Sequence, residues 1–183
     1  HPVGTRARLA LDLLLFTGLR SSDIIKIGKQ HVREGVLSYR TKKTGAVVHI
    51  PIFPDLRASI DATQTGDLAF IVSQTGRPFA SVMSFGGWFK KRCDEAGLPA
   101  KRTPHGLRKA GATIAAEAGA SPHELMAMYG WSRISMAEAY TKEADKKRLA
   151  KGAAERIANA FAPHLEKGVA NGGKKRNGNN GEF

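Results

Sequence analysis

Histidine and arginine stand three residues apart in the run "TPHGLR" at 103–108, which puts His105 and Arg108 on one face of a helix near its start. The first backbone N–H groups of a helix have no partner within it, so an acid–base group and a cation beside them suit a bound phosphate. A capping histidine and a solvated arginine account for the spacing equally well. A second arginine, Arg20, ends "LALDLLLFTGLR", directly after an apolar stretch. A guanidinium is almost never buried without a partner, so Arg20 either turns to solvent or faces an anion held in the fold. A third run, "YGWSRISMAEAYTK", sets Trp131 and Tyr140 nine residues apart. Within it Met136 and Tyr140, four apart, also fit an ordinary core pair on a helix.

Other chemistries lack their residues. The sequence has no GxxxxGK phosphate loop, no HExxH zinc site and no DxD carboxylate cluster, and its six histidines are scattered. A metal-dependent nuclease is disfavoured, and no cofactor is expected.

The elements that must carry these groups read mainly as helices. Thr5 can cap a helix running to about Phe16, apolar on most faces and therefore central, with Gly18 suited to end it. Ser22 can cap a short helix through "DIIKIGK". The segments "GVLSYR" and "AVVHIPI" then alternate like two strands joined by "TKKTG", a hairpin with lysines at its turn. Pro54 to Ala62 reads as a helix, "LAFIVS" as an extended piece, and "SVMSFGGWFKKRCDEAG" as a helix weakened by Gly86 and Gly87. Four helical segments are expected after that, capped by Thr103, Ser121 and Ser135 and completed by Lys142 to Phe161. The last carries Leu149, Ala153, Ile157 and Ala160 as an apolar stripe, open to packing on its own domain or on a neighbour.

Charge narrows the partner. Lysine and arginine number 29 against 16 acidic residues, a net charge of +13. The closing residues 163–183 contribute only +2, which leaves the basic character in the body. A folded domain this basic favours polyanions, nucleic acid first. Cys93 stands alone, so no intramolecular disulfide can form, and a reducing cytoplasm fits. The apolar run Leu9 to Phe16 is too short to span a bilayer, and no membrane partner is expected.

Taken in order, these segments resemble the tyrosine recombinases, or phage-type integrases. "FTGLRSSDIIKI" looks like the family's first arginine box, "TKKTGAVVHIPI" like its lysine-bearing hairpin and "TPHGLRKAGATIAAEAG" like its histidine-x-x-arginine box. "MYGWSRISMAEAYT" looks like the final box, in which the nucleophilic tyrosine follows a histidine or tryptophan by nine residues. The resemblance implies Arg20 and Arg108 as a phosphate-clamping pair, Lys43 as the hairpin lysine, His105 as an acid–base group, Trp131 as a phosphate and packing contact and Tyr140 as nucleophile. Asp23 matches the acidic position that supports the first arginine. Many relatives carry histidine at Trp131, whose indole donates a hydrogen bond but cannot shuttle a proton. Lys43 is preferred to Lys42 because it begins "KTG", in the family's usual register, and because Lys42 would face the other side of a strand.

The implied fold is mainly α with a small antiparallel β-hairpin or sheet, an α+β catalytic domain over residues 1–162. A polar, unfolded tail is expected at 163–183, and the N-terminal core-binding domain usual in the family is expected to be absent. The implied function is site-specific DNA strand exchange through a 3′-phosphotyrosine, with double-stranded DNA and further protomers of the same protein as partners. A type IB topoisomerase and a non-catalytic DNA-binding module are the alternatives.

Overall fold

Thr5 starts the first helix by accepting a hydrogen bond from the Arg8 N–H at 3.3 Å, and α1 then runs Arg6–Thr17. The computed structural model describes the backbone of residues 1–171 and the side chains of residues 1–162. In α1 Leu9, Ala10, Leu13 and Leu14 are fully buried, as expected of a central helix. Asp12 is buried on the same helix, and both its oxygens accept from Arg8 Nε at 2.9 Å, which keeps the carboxylate paired.

The second helix differs from expectation. It is a single turn, α2, Ser21–Ile24, with Arg20 rather than a serine at its cap position. Past it, the Asp23 carbonyl accepts from both Lys26 and Ile27. Three strands follow, β1 (Val32–Arg33), β2 (Val36–Arg40) and β3 (Val47–Pro51), antiparallel in chain order. The short β1 was not anticipated. It joins β2 through Glu34 and Gly35, both at positive φ, the conformation a two-residue hairpin turn needs. In the β2–β3 pair Leu37 lies opposite Ile50 and Tyr39 opposite Val48, so Leu37, Val48 and Ile50 turn into the core.

Helices α3 (Pro54–Ala62), α4 (Val82–Glu95), α5 (Pro104–Glu117) and α6 (Pro122–Tyr129) match the expected segments, and α4 to α6 are capped by Ser81, Thr103 and Ser121. Helix α5 lies close against α1 because Gly111 has no side chain; a Cβ there would stand 2.5 Å from the Leu15 carbonyl oxygen.

The last two expected helices are one. α7 runs Ile134–Asn171, with Ser135 inside it rather than capping it. No glycine or proline interrupts the sequence from Ile134 to Lys151, and its alanines, glutamates and lysines propagate a helix readily. The helix also passes the Ala162 boundary suggested for the folded part; the remainder of the expected tail, 172–183, lies outside the described residues. His1–Ala144 forms one compact unit and a second begins at Asp145. The first unit is mainly helical with one small antiparallel sheet, as expected. No helix among the described residues is long and apolar enough to cross a membrane.

Candidate active site

Arg20 leaves the core where the sequence places it. Gly18 ends α1 at φ 58°, Leu19 is buried, and the Arg20 carbonyl accepts from the N–H groups of Asp23 and Ile24 at 2.8 and 2.9 Å. Its backbone is therefore held by α2 while its side chain stays half-buried. On α5, Pro104 supplies the first helical residue, His105 the exposed second, and Arg108 the buried position one turn on. Arg20, His105 and Arg108 line one cleft of about 260 Å³, together with Ser21 and Ser22. The polar side chains of this cleft are chiefly hydrogen-bond donors, which suits an anion rather than a metal ion.

The two arginines repel one another there. Burial first, and the nearby Arg20 second, push the Arg108 guanidinium down to about 10, still charged at neutral pH. Two cations in one cleft that no carboxylate lines create a site that a bound anion relieves, even with the buried Asp23 near enough to act on Arg108.

Arg108 is fixed by backbone. It donates from Nη1 to the Gly18 carbonyl and from Nη2 to the Tyr129 carbonyl, the latter at 2.8 Å. Its guanidinium also lies 5.2 Å from the Tyr129 ring centre and 5.7 Å from that of Trp131. Tyr129 stacks on Trp131 at 4.9 Å, and Trp131 stacks on Tyr140 at 5.4 Å, with planes 14° apart. The Tyr140 phenol is close enough to act electrostatically on Arg108. Met136, by contrast, is 42% exposed, so Tyr140 is held through Trp131 and not as half of a core pair with Met136.

Asp23, expected to support Arg20, is held by the hairpin. The carboxylate is fully buried, and its Oδ1 accepts from the backbone N–H of Lys42 at 2.9 Å, while Oδ2 has no hydrogen-bond partner. Among the described residues it forms no ion pair with the Arg20 guanidinium. It anchors the base of the β2–β3 turn, and its N–H donates to the Arg20 carbonyl. Its charge also helps push the Tyr39 phenol up, after burial.

Lys42 and Lys43 are both exposed in the turn between β2 and β3, outside either strand, so strand alternation does not separate them. Neither lines the arginine cleft. The turn is tied locally, with Thr41 accepting from Gly45 and donating to Ala46, and it borders a groove of about 500 Å³ whose walls include Thr44, Ala46 and Trp131. The hairpin end and the aromatic stack are therefore neighbours.

Sequence reasoning missed Tyr129 and the carbonyl of Gly18. A backbone acceptor carries no side-chain signal, and Tyr129 closes a helix whose apolar pattern reads only as core. The fit is tight: a Cβ on Gly18 would lie 2.2 Å from the Tyr129 ring, and one on Gly111 2.9 Å from its hydroxyl. Burial pushes the Tyr129 phenol up to about 12.

Comparison with known proteins points to one family and one fold. The phage integrase family matches residues 1–147. An integrase of Mycobacterium phage FRAT1 is 29% identical over 158 residues, covering 73% of this chain and 47% of that protein. The chain thus spans about half the length of this curated relative. Among solved structures, the XerA recombinase superposes with a TM-score of 0.66 at 18% identity, over 80% of this chain and 56% of that one. A lambda integrase dimer, residues 75–356, bound to a COC′ core site does so at 0.62 and 24% identity, over 72% and 52%. The Tn1549 transposon integrase in complex with transposon right end DNA gives 0.60 and 22%, over 79% and 59%.

Proposed function

This chain belongs to the phage integrase family, and on that premise we propose that it is the catalytic part of a site-specific DNA recombinase that cuts and rejoins strands through a 3′-phosphotyrosine at Tyr140. The observation that carries the reading is the cleft in which Arg20, His105 and Arg108 meet, tied through Arg108 to the stack that holds Tyr140.

In this reading the scissile phosphate is the anion of the cleft. Its two nonbridging oxygens gain charge toward the five-coordinate transition state, and two arginine forks stabilise them without a metal. Losing one such preorganised donor costs on the order of 3 kcal/mol, about a hundredfold in rate. The Tyr140 oxygen attacks phosphorus, its proton is lost to a base or to solvent, and the 5′ oxygen of the sugar leaves with a proton from an acid. The ester so formed keeps the energy of the broken bond for rejoining. Lys43, on the exposed turn, is the proposed acid, and His105 assists at the tyrosine or the phosphate.

Double-stranded DNA is the proposed substrate. Further protomers are proposed to assemble on it, with the stripe of Leu149, Ala153, Ile157 and Ala160 as contact; Leu149 and Ile157 are exposed. Incubation with nicked suicide DNA tests the function. A denaturant-resistant protein–DNA adduct is expected, and its absence, with the full-length protein as well, would leave a non-catalytic DNA-binding module. Relaxation of supercoils without synapsis would instead favour the topoisomerase alternative.

A further inference from the structure

Beside the arginine cleft, and sharing Pro104 with it, runs a second cleft of about 480 Å³. One wall is α4, through Gly86, Lys90 and Asp94; the other is the segment Pro99–Arg102 that leads to the start of α5. Three cations line it, Lys90, Lys101 and Arg102, against the single carboxylate of Asp94. None of the three takes part in an ion pair among the described residues.

Two backbone features shape this cleft. Lys101 holds φ 69°, in the left-handed region that side chains other than glycine rarely adopt. The bend lies within Pro99–Pro104, a continuous segment that borders the cleft along its length. Gly86 leaves the α4 backbone bare on the other wall, and a Cβ there would meet nothing within the protein. Packing inside the chain therefore gives no reason for a helical glycine that costs stability.

We propose that this cleft is a second phosphate seat, which holds the DNA backbone phosphate next to the one gripped by Arg20 and Arg108. The proposal rests on the recombinase reading of the arginine cleft. A strand whose scissile phosphate lies against Arg20, His105 and Arg108 carries its next phosphate one nucleotide away, and Lys90, Lys101 and Arg102 line the cleft that adjoins the first at Pro104. Charged contacts of this kind supply affinity and register, not base reading and not chemistry. Gly86 would admit the sugar–phosphate chain close to the helix backbone.

The test uses the whole chain and a nicked duplex, with binding followed against salt and adduct formation followed at saturating DNA. Lys90→Gln and Arg102→Gln should each weaken binding, and together they should reduce the slope of log affinity against log salt by about 0.9, the share of one phosphate. The rate of adduct formation at saturation should stay within about twofold of the parent, since these cations position rather than react. Gly86→Ala should stabilise the free protein yet weaken DNA binding. A duplex with a neutral methylphosphonate one nucleotide from the scissile phosphate should lose the same slope with the parent and lose nothing more with the doubly substituted protein. Unchanged slopes in the variants would overturn the seat whether or not an adduct forms, as would slowed adduct formation with unchanged affinity. Reduced slopes in a protein that never forms the adduct would support the seat and overturn the recombinase reading instead.

Discussion

Trp131 and Tyr140 lie face to face, 5.4 Å between ring centres and 14° between planes, so the residue that precedes the helix fixes the ring carried in its second turn. Trp131 is 8% exposed and also stacks on Tyr129, which makes it the middle ring of three. Trp131→Ala should therefore cost about 3–5 kcal/mol of stability, in the range of a large buried aromatic replaced by a methyl. Trp131→Phe should cost less and keep faster single-turnover cleavage than Trp131→Ala. Equal cleavage rates in the two variants would show that the stack does not orient Tyr140.

Gly18 joins the two arginines, since its αL backbone turns the chain toward Arg20 while its carbonyl accepts from Arg108. Gly18→Ala meets a φ of 58° and a Tyr129 ring 2.2 Å from the new Cβ. Left-handed strain and overpacking together should cost about 2–4 kcal/mol. Gly130→Ala, at φ 62° but 3.0 Å from its nearest neighbour, should cost less. Urea unfolding of both compares them directly, and equal losses would remove the ring contact from the argument.

Tyr129 gives a pH signature. Its phenol stands near 10 in an unfolded chain and is pushed up to about 12 here, chiefly by burial. The folded state therefore keeps a proton that the unfolded state releases, and the associated stability is full below pH 10 and lost as pH rises toward 12. Arg108, pushed down to about 10, acts with the opposite sign in that window, so the comparison must be made against Tyr129→Phe. Relative to that variant, the parent should lose about 2–3 kcal/mol between pH 10 and 12 by urea unfolding. Parallel curves would mean that the buried phenol is not what the high-pH slope reports.

Much of this was legible in the sequence because capping residues, turn glycines and hydrophobic period each act locally. Thr5, Ser81, Thr103 and Ser121 start the helices where their side chains can accept from the first turn. The expected break between "MAEAYT" and Lys142 is absent because no glycine or proline stands there to end the helix, and Ser135 is not a cap because Ile134 before it is already helical. The pairing of Arg20 with Arg108 was expected from the family resemblance, but what fixes Arg108 was not. Its partners are carbonyls brought from residues 18 and 129, and long-range backbone acceptors leave no pattern in residue identity. Asp23 was expected as an acid supporting Arg20, and neither its burial nor its hydrogen bond from Lys42 could be read in advance, since both depend on the hairpin folding back.

Lys43 and Lys42 remain to be separated by chemistry, since both are exposed on the same turn. The Lys42 N–H is bound to Asp23, which fixes the backbone one residue before Lys43. If Lys43 protonates the departing 5′ oxygen, replacing that oxygen by sulfur makes the leaving group a weak base that needs no acid. Lys43→Ala should then be severely slowed on ordinary DNA and close to the parent on the sulfur substrate. Lys42→Ala should match the parent on both, and Arg20→Ala should stay slow on both. Rescue of Lys42→Ala instead would shift the acid by one residue, and rescue of neither would turn attention to His105.

The central claim is that Tyr140 is the nucleophile of the arginine cleft, and the direct measurement is the position of the covalent bond. Nicked suicide DNA is incubated with the parent and with Tyr140→Phe, the adduct is digested, and the DNA-bearing peptide is identified by mass spectrometry. The account requires that the parent carry the nucleotide on Tyr140 and that Tyr140→Phe form no adduct while binding DNA nearly as well, since one hydroxyl and no charge is lost. An adduct that persists in Tyr140→Phe, or one that maps to Tyr39 or Tyr129, would contradict it.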